Sequence, residues 1–192
     1  MNIHFDKDWP VQYITHYNTL PSALHHLKEP TMKQEKAIFA CGCFWGAQHQ
    51  FERAHGVLRS TVGYIGGHKD HPTYPEVKSH TTGHAEATLV EFDAEETSFT
   101  ELCKLFFEIH DPAQTDGQGP DIGPQYRSEI FYLDENQEQE AQAVIDLLRS
   151  KGHEVNTRLT PASTFWPAED YHQHYYDKTG GEPYCHIRIR KF

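Results

Sequence analysis

The residues with the clearest chemical potential stand together in the string Gly42-Cys43-Phe44-Trp45-Gly46. Cys43 lies between an apolar run typical of a strand and a helical pattern, so we expect it on the first turn of a helix. Unpaired backbone N–H groups and the helix macrodipole stabilise an anion there. A thiol with the ordinary pKa of about 8.5 is only about 3% ionised at pH 7, and a lowered pKa would make Cys43 a nucleophile. The competing interpretation is a small buried cysteine without chemistry.

The two aromatic residues that follow Cys43 narrow the choice of substrate. Phe44 and Trp45 would form an apolar wall beside the thiol, which suits a small uncharged group such as a methyl and disfavours a charged substrate. The alternative is that both side chains are ordinary core.

Other chemistry receives less support from the sequence. A cysteine hydrolase or acyltransferase needs a histidine base next to Cys43 and an oxyanion hole, and the nearest histidine, His49, has no motif around it. A non-catalytic peptide-binding or metal-storage module would not use a low-pKa thiol. The closest histidine pairs lack the cysteine or HExxH context of a zinc site, so we interpret them as solvated loop residues and predict no metal: His68 with His71, and His172 with His174.

Strand patterns recur along the chain around these residues. Apolar or alternating runs predict strands at 37–40, 57–62, 85–92, 129–133 and 155–159. Long segments rich in glycine and proline, 63–83 and 113–125, separate some of these strands and exceed the length of simple connectors.

Helices are expected between the strands. One begins at Cys43 and ends at Gly56, and a short one lies near 167–176. Two amphipathic helices begin at residues of capping type, Ser98 and Asp134. The order of elements predicts an α+β two-layer sandwich, with a mixed sheet of split βαβ (ferredoxin-like) type, long Gly/Pro loops and a C-terminal tail.

Composition limits the setting in which the protein works. The 192 residues are 37% hydrophobic and 12% aromatic, and their formal net charge of −11 argues against nucleic acid or an anionic membrane as partner. No apolar run is long enough for a membrane span, and the N-terminus does not resemble a secretory signal. The 4 cysteines form no CxxC pair, which favours a reducing compartment, most simply the cytoplasm. We expect residues 1–35 to be an N-terminal extension and 36–192 a single catalytic domain.

Several further strings, in order along the chain, resemble the A-type peptide methionine sulfoxide reductase family. The resemblance runs from about residue 37 to residue 184, beyond the extension. Its motifs are the cysteine string above and Gly63-Tyr64-Ile65-Gly66-Gly67, Pro72-Thr73-Tyr74, Gly83-His84-Ala85-Glu86-Ala87, His110-Asp111-Pro112 and Gly123-Pro124-Gln125-Tyr126-Arg127-Ser128.

This resemblance implies an oxidoreductase that repairs proteins under oxidative stress. It would reduce methionine-S-sulfoxide, free or in proteins, to methionine through a cysteine sulfenic acid and an intramolecular disulfide. Thioredoxin or another dithiol would return the electrons, so no cofactor is expected. We expect a monomer without nucleic acid or membrane partners.

The resemblance also implies roles for individual residues. Glu86 would protonate the sulfoxide oxygen as Cys43 attacks, which requires burial to raise the pKa of its carboxyl. Tyr74 and Tyr126 would hold that oxygen through their hydroxyl groups. Asp121 would fix a water molecule or the substrate backbone. The aromatic pair after Cys43 would enclose the methyl group next to the sulfoxide.

Recycling requires a second thiol to condense with the sulfenic acid. Cys185 matches a resolving cysteine on a mobile C-terminal tail. Cys41 is the local rival, although a disulfide between residues two apart would be strained. Cys103 lies on the apolar face of a helix and is expected to be inert core. The chain departs from the family pattern at Cys41, in a tail without a second cysteine, and at Pro124, which replaces a more usual threonine.

Overall fold

The structure is a computed structural model that describes residues 33–192. Residues 1–32 lie outside the described residues, and with them almost all of the predicted extension. The described residues form one compact unit.

The elements follow the predicted alternation of strands and helices. The strands are β1 (Gln34–Cys41), β2 (Val57–Ile65), β3 (Ala85–Asp93), β4 (Gly117–Gln118), β5 (Asp121–Ile122), β6 (Ser128–Tyr132), β7 (Arg158–Pro161) and β8 (Trp166–Pro167). The helices are α1 (Phe44–Glu52), α2 (Tyr74–Lys78), α3 (Phe99–Glu108), α4 (Glu135–Ser150) and α5 (Tyr175–Thr179), with a 3-10 turn at Pro124–Tyr126.

Six strands form the main sheet in the order β7-β6-β1-β3-β2-β8. All neighbours are antiparallel except β6 and β7, which are parallel and joined by α4. The inner order β6-β1-β3-β2 is that of a split βαβ unit, because β3 lies between β1 and β2. The predicted α+β fold with a mixed sheet is confirmed.

Alternation along β1 divides the core between the two faces of the sheet. Ala37 and Phe39 face a large apolar cluster built with α1, α3 and α4. Ile38 and Ala40 face a smaller cluster on the other side, with Phe131 of β6. Burial of successive residues on opposite faces is the period-two pattern of a strand at the centre of a sheet, and it fixes the register that brings Cys41 to the start of α1.

The two predicted capping residues begin helices. The side chain of Ser98 accepts a hydrogen bond from the backbone N–H of Glu101 at 3.2 Å, at the start of α3. Asp134 accepts from the N–H of Gln137 at 2.9 Å, at the start of α4. Each bond satisfies a backbone donor that the first turn of a helix leaves unpaired.

Two details differ from the sequence-based prediction. The long segment 63–83 contains the short helix α2, which begins at a capping box formed by Thr73 and Glu76. The last helix is α5 rather than 167–176, because 166–167 form β8 and pair with the edge of β2. That pairing joins Gly63 to Pro167 and Tyr64 to Trp166, residues more than 100 positions apart in the chain, which local patterns do not reveal.

The C-terminal tail is fastened to the end of α3. Arg188 donates to the buried carboxylate of Glu108 at 2.8 Å, and the backbone N–H of Ile189 donates to the carbonyl of Glu108 at 2.7 Å. Lys191 donates to the carbonyls of Phe107 and His110. The resemblance implied a mobile tail, and in the structure its last residues are anchored. Within residues 33–192, no helix is both long and apolar enough to cross a bilayer.

Candidate active site

Cys43 lies where the sheet meets the first helix. It is the N-cap of α1, and Gly42 alone separates it from the end of β1 at Cys41. Gly42 before it has a φ of +102°, and a Cβ at Gly42 would lie 2.6 Å from the Cβ of Gln118. Both the positive φ and the lack of space require glycine at this turn, so the turn that presents Cys43 depends on the residue before it.

Glu86 reaches the same turn from β3. It lies opposite Tyr64 of β2 and is buried. Its Oε2 accepts a hydrogen bond of 3.2 Å from the backbone N–H of Phe44, the residue after Cys43. Burial raises the pKa of the Glu86 carboxyl to about 8, against the opposing effect of that hydrogen bond. The carboxyl is therefore protonated at pH 7, as the sequence analysis requires of an acid at this position.

The surroundings of Cys43 act on the pKa of its thiol mainly through burial. The thiol is 8% exposed, and burial, followed by the charge of Glu86, raises the pKa of Cys43 well above its ordinary value. A hydrogen bond from the backbone N–H of Trp45 acts the other way and is outweighed. Burial therefore favours the neutral thiol in the free protein, whereas the sequence analysis expected a lowered pKa for Cys43.

The segments that connect the strands bring three more predicted residues towards this turn. Tyr74 begins α2, Asp121 lies on β5 and Tyr126 ends the 3-10 turn. Burial, followed by the charge of Glu86, raises the pKa of both tyrosines. Asp121 is among the charges that act on Cys43, and its own pKa is raised by burial. The two phenols are therefore protonated donors at pH 7 beside the carboxyl.

A cluster of rings adjoins Cys43 on the other side. Phe44 is fully buried and packs against Tyr64 at 5.9 Å between ring centroids. Trp45 is partly exposed and stacks on Tyr175 at 3.7 Å. His172 contacts Phe44 at 5.1 Å and Trp45 at 5.5 Å. These rings form one aromatic cluster in which Phe44 is buried and Trp45 is partly exposed.

His172 and Glu169 are site residues that the sequence analysis missed. His172 is 1% exposed, so its interpretation as a solvated loop residue was wrong. Its Nδ1 accepts from the indole N–H of Trp45 at 3.0 Å, which places the imidazole proton on Nε2. Glu169 accepts from the hydroxyl of Tyr64 at 2.9 Å and from the backbone N–H of Tyr74 at 2.8 Å. The only local sign of these two residues in the sequence is that Glu169 and His172 are polar, lie three positions apart and have aromatic residues around them.

A glutamine side chain holds this turn against the sheet. Gln173 accepts from the backbone N–H of Val62 and donates to its carbonyl, both at 2.9 Å. The amide thus forms the pair of hydrogen bonds that a neighbouring strand would form at the edge of β2. These bonds also hold the preceding residue, His172, in place.

The cysteines other than Cys43 occupy three different environments. Cys185, in the tail, is partly exposed. Its Sγ lies 3.0 Å from Nδ1 of His186. Cys41 is buried at the end of β1. Cys103 is fully buried on α3, within the large core cluster, which confirms the predicted core position.

The histidine base that a cysteine hydrolase would need beside Cys43 is not found in the described part of the chain. No imidazole within residues 33–192 forms a hydrogen bond with the sulfur of Cys43, as a cysteine hydrolase would need. Ligand atoms of Glu52, His174 and Asp177 lie within 4.8 Å of one another near the protein surface. Arg53 already pairs with Asp177 at 3.0 Å and supplies the positive charge there.

Comparison with known proteins places this geometry in a family. The family model described as peptide methionine sulfoxide reductase matches residues 35–192. A peptide methionine sulfoxide reductase MsrA of Geobacter sulfurreducens is 48% identical over 150 residues, covering 77% of this chain and 93% of the relative. An MsrA of Acinetobacter baumannii is 44% identical over 155 residues, covering 81% of this chain and 90% of the relative.

Solved structures agree with this assignment. Reduced Mxr1 from Saccharomyces cerevisiae has a TM-score of 0.78 at 32% identity, covering 84% of this chain and 95% of that one. Methionine sulfoxide reductase A of Corynebacterium diphtheriae has a TM-score of 0.69 at 33% identity, covering 79% of this chain and 77% of that one. The chain therefore belongs to the peptide methionine sulfoxide reductase family.

Proposed function

We propose that this protein reduces methionine-S-sulfoxide, free or in proteins, to methionine, and so repairs oxidised proteins. Its relatives carry the name of this activity. The observation that supports the proposal most directly is the buried carboxyl of Glu86, bonded at 3.2 Å to the N–H that follows Cys43. Removal of oxygen from a sulfoxide requires at least a thiol and a proton donor next to it.

In the proposed first step, the sulfur of Cys43 attacks the sulfoxide sulfur while Glu86 protonates the oxygen. The S=O bond breaks, methionine leaves, and Cys43 becomes a sulfenic acid that carries the oxygen. The proton of the thiol replaces the one that Glu86 gave, so the carboxyl is restored. Because the pKa of Glu86 is about 8, its proton is present at pH 7 and is weakly enough held to be transferred.

Four further residues would bind the substrate. Tyr74 and Tyr126 would donate hydrogen bonds to the sulfoxide oxygen, which gains negative charge as the thiol attacks. Phe44 and Trp45 would contact the methyl group. Both tyrosines are protonated and neighbour Glu86, which supports a shared target for the three donors.

Asp121 would hold a water molecule or the substrate backbone. Its carboxylate lies at the mouth of the site, where the hydroxyl of Tyr184 donates to it at 3.3 Å. Tyr184 is largely exposed, so a substrate peptide could replace this hydrogen bond.

In the proposed second step, Cys185 condenses with the sulfenic acid to give a disulfide and water. Thioredoxin or another dithiol would then reduce the disulfide, and no prosthetic group is needed for this cycle. The yeast relative Mxr1 has been solved in complex with Trx2, which supports this partner. A reductant of this kind suits the cytoplasm, where thiols are kept reduced.

The decisive experiment is incubation with racemic methyl p-tolyl sulfoxide and a dithiol, followed by chiral chromatography. We expect consumption of the S enantiomer alone. The Cys43→Ser variant should be inactive, and Cys103→Ser is the matched control that should retain activity. Equal consumption of both enantiomers, or activity without Cys43, would contradict the proposed function.

A further inference from the structure

His186 is a buried side chain that the proposed cycle has not yet used. It is 0% exposed and directly follows Cys185. Its Nδ1 lies 3.0 Å from the sulfur of Cys185, and its Nε2 lies 2.9 Å from the backbone carbonyl oxygen of Cys41. The ring therefore connects the predicted resolving thiol with the strand that ends beside Cys43.

These two contacts fix the tautomer of the imidazole. A carbonyl oxygen can only accept a hydrogen bond, so Nε2 of His186 carries the proton that the ring donates to Cys41. Burial lowers the pKa of His186 to about 4, and the ring is neutral at pH 7. Nδ1 is then a free acceptor, and the S–H of Cys185 is the donor that points to it.

The fold makes a specific space for this ring beside Cys43. A Cβ at Gly46 would lie 2.3 Å from Nδ1 of His186, and one at Gly42 would lie 3.7 Å from its Cε1. Gly42 belongs to the turn that presents Cys43, and Gly46 lies in the first turn of α1. The amide of Gln50 on α1 donates to the carbonyl of His186 at 2.8 Å, which holds the backbone of the tail in place.

Cys185 needs a proton acceptor in order to act. Burial, followed by the charge of Asp121, raises the pKa of Cys185 to about 12, so the thiol is protonated at pH 7. A thiol attacks sulfur as its thiolate, and its proton must leave during the attack.

We propose that His186 is the catalytic base of the resolving step, an inference that rests on the proposed function. Nδ1 accepts the proton of Cys185 as the sulfur of Cys185 attacks the sulfenic sulfur of Cys43. The S–S bond forms and the S–O bond of the sulfenic acid breaks. The hydroxide that leaves takes the proton from the imidazolium and departs as water, and His186 is neutral again.

The charged and titratable groups around this pair set the pH range of a test. The charges of Asp121 and Glu86 act to raise the pKa of Cys185. Burial lowers the pKa of His110 to about 3, and a positive charge on His186 acts in the same direction. Because the pKa of Glu86 is about 8, the comparison belongs between pH 6 and pH 7.5, where Glu86 keeps its proton.

The His186→Gln variant distinguishes two roles of His186, namely accepting a proton at Nδ1 and holding the tail through Nε2. Its amide nitrogen can occupy the position of Nε2 and donate to the carbonyl of Cys41, but no acceptor replaces Nδ1. The reduced full-length protein is mixed with one equivalent of methionine sulfoxide. Methionine release and disulfide formation are then followed separately by rapid quenching with a thiol-blocking reagent and mass spectrometry.

We expect wild type and His186→Gln to release one methionine per chain at the same rate. Disulfide formation should be roughly 100-fold slower in the variant at pH 7, as for the loss of a general base. It should also rise about tenfold per pH unit, because the thiolate must then form in solution, whereas the wild-type rate stays constant. His186→Asn, which cannot accept the proton, should show the same slope, and His110→Gln should resemble wild type.

A rate of disulfide formation in His186→Gln equal to that of wild type would overturn the proposal. A rate lowered by the same factor at every pH would also overturn it, because that result describes a residue that only places the tail. A disulfide between Cys43 and Cys41 in the wild-type protein would do the same. Failure of wild type to release methionine would instead refute the proposed function itself.

Discussion

Replacing Glu86 by glutamine tests the central feature of the candidate site, a carboxyl that burial keeps protonated. Glutamine has nearly the same shape, and its amide oxygen can still accept the hydrogen bond from the N–H of Phe44. It carries no titratable proton, so the variant removes the acid and leaves the packing. We expect it to lose activity and to gain stability.

The magnitude follows from the pKa of Glu86, which the fold raises from 4.5 to about 8. A raised pKa means that the unfolded chain releases this proton at lower pH than the folded protein does. The contribution of Glu86 to stability is therefore fully present below pH 4.5 and is lost as pH rises towards 8. By pH 7 the loss is about 3 kcal/mol, and above pH 8 it approaches about 5 kcal/mol. Glutamine has no titratable proton at this position, so the variant does not lose this stability as pH rises.

The assay is urea unfolding of wild type and Glu86→Gln at several pH values. The stability advantage of the variant should widen by about 2 kcal/mol between pH 5 and pH 7. Glu91→Gln, on the same strand, is the matched control with the opposite sign. Burial acts to raise the pKa of Glu91, but hydrogen bonds from Lys36 and Arg59 lower it overall, so this carboxylate stabilises the fold above pH 4.5 and its loss should destabilise the protein.

Activity should follow the same proton. The Glu86→Gln variant should reduce sulfoxide roughly 100-fold or more slowly, the usual effect of losing a general acid. In wild type, kcat/KM should fall above about pH 8, where Glu86 releases its proton. A Glu86→Gln variant that is less stable than wild type at pH 7, or whose advantage does not change with pH, would refute this reasoning.

Three further predictions concern the residues around Cys43. Cys185→Ser should release one methionine per chain and then stop with thioredoxin as reductant, whereas Cys41→Ser should cycle normally; the reverse result would identify Cys41 as the resolving thiol. Tyr74→Phe and Tyr126→Phe should each lower kcat by roughly 100-fold, as expected for loss of one donor to a developing oxyanion, and unchanged kcat in both would exclude them as donors. Trp45→Leu should raise KM by about tenfold through loss of apolar contact with a smaller effect on kcat, which steady-state kinetics would show.

The fold was largely predictable because its signals are local. Capping residues such as Ser98 and Asp134 mark helix starts within four residues of chain. β1 ends in a continuous apolar run, and β3 begins with alternating apolar and polar residues. The strand β8 was not predictable, since its two residues acquire their structure only by pairing with Tyr64 and Gly63. A segment that short has no pattern of its own.

The residues of the candidate site, too, were predictable only where their signals are local. Motif strings identified Cys43 and Glu86, and the structure brings both to one turn. The burial of His172 and the raised pKa of Cys43 depend on how much water the surrounding segments exclude, and no sequence pattern measures that. His186 has no motif either, because its partners, Gly46 and the carbonyl of Cys41, lie about 140 residues away in the chain.

The attachment of the tail to Glu108 limits how far Cys185, the proposed resolving thiol, can travel. Only two residues separate Cys185 from Arg188, whose guanidinium is held by the carboxylate of Glu108. Three extended residues span at most about 10 Å, so the sulfur of Cys185 works on a short tether and reaches little beyond its present neighbours. We therefore expect a reductant to reach the proposed disulfide between Cys43 and Cys185 where it forms, beside the start of α1, because the last residues do not carry it outward.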